Sequence, residues 1–408
     1  MSRHSSLMGV SLVTCLLVSA TTLAESANST APSPVEVLYL FSRSTPETYD
    51  IQTYDVDPSY GDSTMAGTVS VNVPSNSYCS LVPRADDHYV YLFCAYGTGG
   101  TVLQVYATDS SGVPQDSPIQ TVKLKTAVFP FLIDPNGTLA YAAEPLQQRS
   151  TVPTLPRFGI WAFALDAKTG MATGPPTLSS ITSPPLDGLC NIDNYFADPS
   201  FSLIGFNLDG TQLIDAWGCD GKDDSVDYYY TQTVNQKNGA LGPPVATVGD
   251  WSSFEEYSRV TFTPAAILSF ENQGDEGAAN ELDVYWSNAK LNFSCTYTML
   301  DACSFSSGIT TDRTGLFIFF STYTGGIEVT RLNMNKKEIE PVGIPLSDPI
   351  ETFSVDDRLI YSSPTLSWNG DYVIPVYVFD PGTGLVTNNG AGITLPSEGY
   401  SLIPALRY

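Results

Sequence analysis

The chain has 408 residues, with 18 basic side chains against 43 acidic ones and a formal net charge of −25 at pH 7. A surface that acidic repels nucleic acid and phosphorylated ligands. Only the N-terminal apolar run approaches the length of a membrane span, so no other segment is expected in a bilayer.

In that run Arg3 and His4 precede "LMGVSLVTCLLVSATTLA", which is short for a span and rich in Ser and Thr. It reads as a secretory signal peptide over residues 1–24, with small Thr22 and Ala24 marking cleavage after Ala24. Residues 25–34 then form a flexible leader. The mature protein is expected to be secreted or periplasmic, free of the membrane and monomeric.

From residue 35 onward two phrases alternate. One is a tight turn between apolar runs, as in "IDPNGTLAYAA" (Ile133 to Ala143). The other follows a strand-like run, as in "GIWAFALDAKTG" (Gly159 to Gly170). The first recurs at Asp86-Asp87, Asp209-Gly210, Thr263-Pro264, Arg313 to Gly315 and Asp356-Asp357. The second recurs at Asp57 to Gly61, Asp109 to Gly112, Asn235 to Gly239, Asn288 to Lys290, Asn333 to Lys337 and Asp380 to Gly384. A spacing of roughly fifty residues without helical periodicity fits four-stranded propeller blades. Each copy parses into strands a to d, the first turn joining a to b and the second joining c to d.

The expected fold is therefore all-β, a seven-bladed β-propeller of four-stranded antiparallel blades over residues 35–408. Runs such as "VEVLYLF" and "YVYLFCAY" are apolar on both faces, as sheets packed between two neighbours require. The first blade opens at Val35 on its strand b, and "YSLIPALRY" at the C-terminus has the pattern of a lone strand a. The C-terminal strand is expected to close the ring in blade one.

The two phrases together resemble the repeat of the seven-bladed lactonase-like β-propellers, the family related to 6-phosphogluconolactonase and to YVTN-type repeats. The resemblance covers the whole mature chain and implies the fold. Its phrases are turn motifs and say little of chemistry.

Six of the seven cysteines survive signal removal, an even count that reads as disulfides in an exported chain. Cys79 and Cys94 lie symmetrically about the Asp86-Asp87 turn and should face each other on neighbouring strands. Cys295 with Cys303 and Cys190 with Cys219 are the other expected pairs. Asn28, Asn136 and Asn292 each begin an N-x-S/T sequon, which acts only in a eukaryotic secretory route.

The b-to-c and d-to-a connections should share one face, where function in a repeat ring usually sits. This face is expected to carry the long loops "SRSTPETY", "YGTGGT", "EPLQQRSTVPTLPR" and "WGCDGKDDSVDYYY". It would present Trp217, Trp251 and Trp368, Arg43, Arg149 and Arg157, and Glu255 and Glu256 to a small molecule, a carbohydrate or a protein partner. Asp220, Asp223, Asp224 and Asp227 offer hard oxygen ligands suited to Ca²⁺, without the spacing of an EF-hand; the alternative is a solvated loop pinned by Cys219. His88, the one histidine after the signal, falls at an a-to-b turn on the other face, so no histidine-based nucleophile is assembled. Two functions remain open. One is a propeller that binds a ligand on its loop face without catalysis. The other is a lactonase-like hydrolase, in which loop-face carboxylates and Arg43, Arg149 or Arg157 polarise an ester carbonyl.

Overall fold

A computed structural model describes residues 35–407, apart from 85–87, 97–99, 125–130, 147–156, 184–199, 208–209, 221–224, 249–258, 263–265, 272–280, 289, 299–308, 313, 322–326, 334, 337, 347–349, 355, 357, 368–369 and 396–399. The expected signal peptide and leader, residues 1–34, lie outside these residues.

The described strands follow the chain blade by blade. The first three are β1 (Val35–Thr45), β2 (Thr48–Val56) and β3 (Ser63–Asn72). Next come β4 (Ser77–Pro83), β5 (Tyr89–Tyr96), β6 (Gly100–Ala107) and β7 (Gln120–Leu124), then β8 (Phe131–Ile133), β9 (Leu139–Pro145), β10 (Phe158–Ala164) and β11 (Thr177–Thr182). The fourth group is β12 (Ser200–Phe206), β13 (Gln212–Asp220), β14 (Ser225–Thr233) and β15 (Val245–Val248). The fifth is β16 (Arg259–Phe262), β17 (Ala266–Glu271), β18 (Glu281–Asn288) and β19 (Lys290–Thr298). The sixth is β20 (Ile309–Thr311), β21 (Phe317–Ser321), β22 (Ile327–Asn333) and β23 (Glu338–Leu346). The last contains β24 (Ile350–Phe353), β25 (Leu359–Ser362), β26 (Thr365–Leu366), β27 (Tyr372–Asp380) and β28 (Leu385–Leu395), and the C-terminal strand is β29 (Ser401–Arg407).

These strands pair antiparallel into seven sheets, six of four strands and one of five. In the five-stranded sheet β25 and β26 lie end to end along β27; Ser363 and Pro364 break them apart, since proline has no N–H to give the ladder. The sheets form a ring through their inner strands: β29 contacts β4, β4 contacts β8, β12 meets β9 and β16, and β20 and β24 lead back to β29. The C-terminal strand closes the ring, with β29 antiparallel to β1 in a register from Val35↔Arg407 to Phe41↔Ser401.

The repeated turns have a common chemistry. At the end of strand a one residue pairs its backbone N–H with the carbonyl five residues on, as Asp134 does with Leu139, Asn207 with Gln212, Asp312 with Phe317 and Ser354 with Leu359. Its side chain then accepts N–H groups from the far side of the turn: Asp134 Oδ1 from Thr138 and Leu139, Asn207 Oδ1 from Gln212, Ser354 Oγ from Leu359. The c-to-d turns open on Asp57, Asp109, Asp166, Asn235 and Asp380, each of which accepts a backbone N–H two residues ahead. Gly170 in one of these turns has φ +64°, and a Cβ there would lie 2.5 Å from the Tyr89 ring. Only glycine meets both conditions.

Between blades the core is apolar and tyrosines stitch it. The Tyr39 hydroxyl donates to the Gly112 carbonyl at 2.8 Å, Tyr91 to Gly170 at 2.8 Å and Tyr141 to Gly239 at 3.0 Å. Each bond runs from strand b of one blade to the c-to-d turn of the next. Arg84, buried at the end of β4, crosses the same interface to the Ala167 carbonyl at 2.6 Å.

Cys79 and Cys94 occupy one rung of the β4–β5 ladder and are joined in a disulfide. Cys190 and Cys303 lie outside the described residues, as do the side chains of Cys219 and Cys295.

Candidate functional site

The loop face differs from its expected form. "SRSTPETY" is no loop: β1 and β2 run on to a two-residue turn at Pro46 and Glu47, because the polar Ser and Thr of this stretch pair across the hairpin. "WGCDGKDDSVDYYY" likewise continues as β13 and β14, paired out to Asp220↔Ser225. Val73 donates its N–H to the Glu47 carbonyl at 2.9 Å, which puts the first d-to-a connector beside a b-to-c turn, on one face as the topology requires.

Among the expected site residues, Trp217 moves furthest from its expected role. It is fully buried between blades three and four, edge-on to Phe158 and Phe201, and its Nε1–H donates to Thr182 Oγ1 at 3.0 Å. Strand pairing carries it inward, so it presents nothing to a ligand. Arg43 is exposed but committed to its own hairpin, donating to the Thr45 and Pro46 carbonyls at 3.2 and 2.9 Å and lying 5.9 Å from the Tyr49 ring centre. Arg157 is exposed, at the foot of the b-to-c connection of blade three, where its carbonyl accepts the Leu146 N–H. Trp251, Trp368, Arg149, Glu255, Glu256, Asp223 and Asp224 lie outside the described residues. Asp220 and Asp227 belong to the β13–β14 ladder, with Asp227 opposite Gly218, and their side chains are outside the described set. Among the described residues no group of three or more acidic, His or Cys side chains is placed to hold a metal.

One aromatic that the sequence did not single out stands at the channel. Tyr78 is 80% exposed on β4, the inner strand of its blade, next to the connector Val73 to Asn76. That position is the loop-face end of the central channel. An exposed ring at such a mouth offers a flat apolar surface with a polar tip, the usual platform for a sugar ring. The sequence "SNSYCS" carries no periodic signal that would have picked it out.

Among the described carboxyls, the one whose titration is most clearly altered is Asp215 on β13. Neighbouring blades have Leu92 and Ala142 at this place on strand b, both fully buried. Asp215 is equally enclosed; Gln232 Nε2 donates to its Oδ1 at 2.8 Å and Thr182 Oγ1 to its Oδ2 at 3.3 Å. Burial pushes its carboxyl up to about 7, against the pull of those two hydrogen bonds. A raised carboxyl is also a mark of a general acid. Asp215, however, is fully enclosed, and through Thr182 it anchors the last residue of β11 before the connector to blade four, beside the Tyr230 hydroxyl bonded to the Ser183 carbonyl at 3.2 Å. Its geometry is that of a positioning residue beneath the loop face.

No protein-family description fits this sequence, and no curated protein matches it. Solved structures do match. A Bacteroides uniformis protein provisionally named a 6-phosphogluconolactonase superposes with a TM-score of 0.58 at 15% identity, over 92% of this chain and all of its own. A Bacteroides fragilis protein of the same provisional name gives 0.57 at 16% identity, over 93% of this chain and 100% of that one. The periplasmic gluconolactonase of Pseudomonas aeruginosa gives 0.53 at 15%, over 92% and 99%. The chain has the fold of the lactonase-like β-propellers. At such identity the likeness extends to the fold, and the chemistry has to come from the site.

Proposed function

We propose that the protein is an exported hydrolase that opens an uncharged lactone or sugar-derived ester at the loop-face mouth of its channel. The observation that carries this reading is end-to-end likeness to propellers named as lactonases, one of them periplasmic. Export is supported by the signal-like N-terminus and by the Cys79–Cys94 bridge, which belongs to an oxidising compartment. A net charge of −25 disfavours a phosphorylated substrate, so a neutral sugar lactone is the better fit than its 6-phosphate. In this reading Tyr78 stacks on the sugar ring, and Arg157, an exposed loop-face cation with no hairpin of its own to hold as Arg43 has, polarises the carbonyl.

The test is acid release from a panel of sugar lactones and their phosphorylated counterparts, measured against spontaneous hydrolysis. Turnover of neutral lactones is expected, with Tyr78→Ala raising KM about tenfold and leaving kcat close to wild type, as loss of uniform binding does. Calorimetric binding of the same lactones without turnover would replace this reading with the binding-only one.

A further inference from the structure

The a-to-b turn of blade three carries Asn136-Gly137-Thr138, an acceptor sequon with no proline at its middle position. We infer that Asn136 is an N-glycosylation site, used when the chain passes through a eukaryotic secretory compartment. Three features of the turn point to it. The residue is exposed, on the face opposite the proposed substrate site, so a glycan there leaves the channel mouth open. The turn does not need its side chain: Gly137 N–H bonds to the Asp134 carbonyl at 2.9 Å, and the Asp134 carboxylate holds Thr138 and Leu139. The Asn136 carboxamide makes one long contact, from Nδ2 to Gln236 Oε1 at 3.4 Å. A glycosylated Nδ2 keeps one N–H, and the turn does not depend on that contact. The Cys79–Cys94 bridge fits an exported chain that folds in an oxidising compartment, of which the eukaryotic secretory route is one.

The donor is a polyprenyl-diphosphate-linked oligosaccharide. Asn136 Nδ2 forms a bond to the anomeric carbon as the carbon–oxygen bond to the diphosphate breaks; the lipid diphosphate leaves with the electron pair, and the nitrogen gives up one proton. The sequon at Asn28 lies outside the described residues, and that at Asn292 sits in β19 of blade five.

The full chain is to be secreted from a eukaryotic cell behind a leader known to work in that host, and the Asn136 peptide examined by mass spectrometry before and after peptide-N-glycosidase treatment. The expected result is a glycan removed by the enzyme with conversion of Asn136 to Asp. Asn136→Gln and Thr138→Ala should each abolish it and melt like the deglycosylated wild type, and Thr138→Ser, which preserves the sequon, should retain it and melt like the glycosylated wild type. An Asn136 peptide recovered wholly unmodified from protein secreted by a host that glycosylates its own proteins would overturn the inference, and so would a glycan that persists in Thr138→Ala.

Discussion

At the scale of single residues, Asp215 shows how one carboxyl can set the pH response of an interface. An unfolded aspartate titrates near 3.8, whereas in the folded ring burial raises it to about 7. Between those values the folded state holds a proton that the unfolded chain has released, so this group's contribution to stability is fully present below the lower value and declines as pH rises to the upper one. Asp215→Asn keeps an acceptor for Gln232 and removes the titration. Urea unfolding of wild type and variant should therefore diverge by about 3 kcal/mol between about pH 5 and about pH 8, with the variant the more stable at the higher pH. Parallel pH profiles would show that Asp215 is already ionised inside the fold.

At the scale of the element, the a-to-b turn is held by one side chain. Asp134 is 2% exposed and accepts two backbone N–H groups, so Asp134→Ala leaves one buried and one half-buried donor unpaired and should cost about 2 kcal/mol in chemical denaturation. Asp134→Asn should cost less than half of that, because Asn207 performs the same task one blade later. If both substitutions cost the same, the carboxylate charge matters more than its geometry.

The same elements show what the sequence could and could not disclose. The turns were legible because their chemistry is local: an Asx side chain folds back on its own backbone and a glycine follows at positive φ, and both leave fixed letters. The Cys79–Cys94 rung followed directly from symmetry about such a turn. The b-to-c hairpins of blades one and four were misread as long loops, because Ser and Thr in "SRST" suit a strand edge as well as a loop. Trp217 and Asp215 depend on the neighbouring blade, a contact no local pattern encodes, so a buried tryptophan looked like a ligand residue and a buried acid went unnoticed. Tyr78 owes its interest to where an inner strand ends.

At the scale of the molecule, closure rests on β29. Its removal strips one edge of β1 of its partners and opens the ring between β24 and β4, both of which it contacts. Deleting residues 401–408 should abolish the single cooperative melt and promote association through the bared edge, as light scattering on heating would reveal. Unchanged melting would mean that the remaining sheets hold the ring without their clasp.

The seam between β1 and β29 also determines how the ring yields to force. Val35 and Arg407 share one rung, so tension carried by the segments beyond them acts on the same end of an antiparallel ladder. The ladder is then peeled rather than sheared: the Val35–Arg407 rung takes the load alone, and each later rung up to Phe41–Ser401 is exposed in turn. The propeller is mechanically weakest where its ends meet, and a pull that leaves every other blade folded can unzip it there.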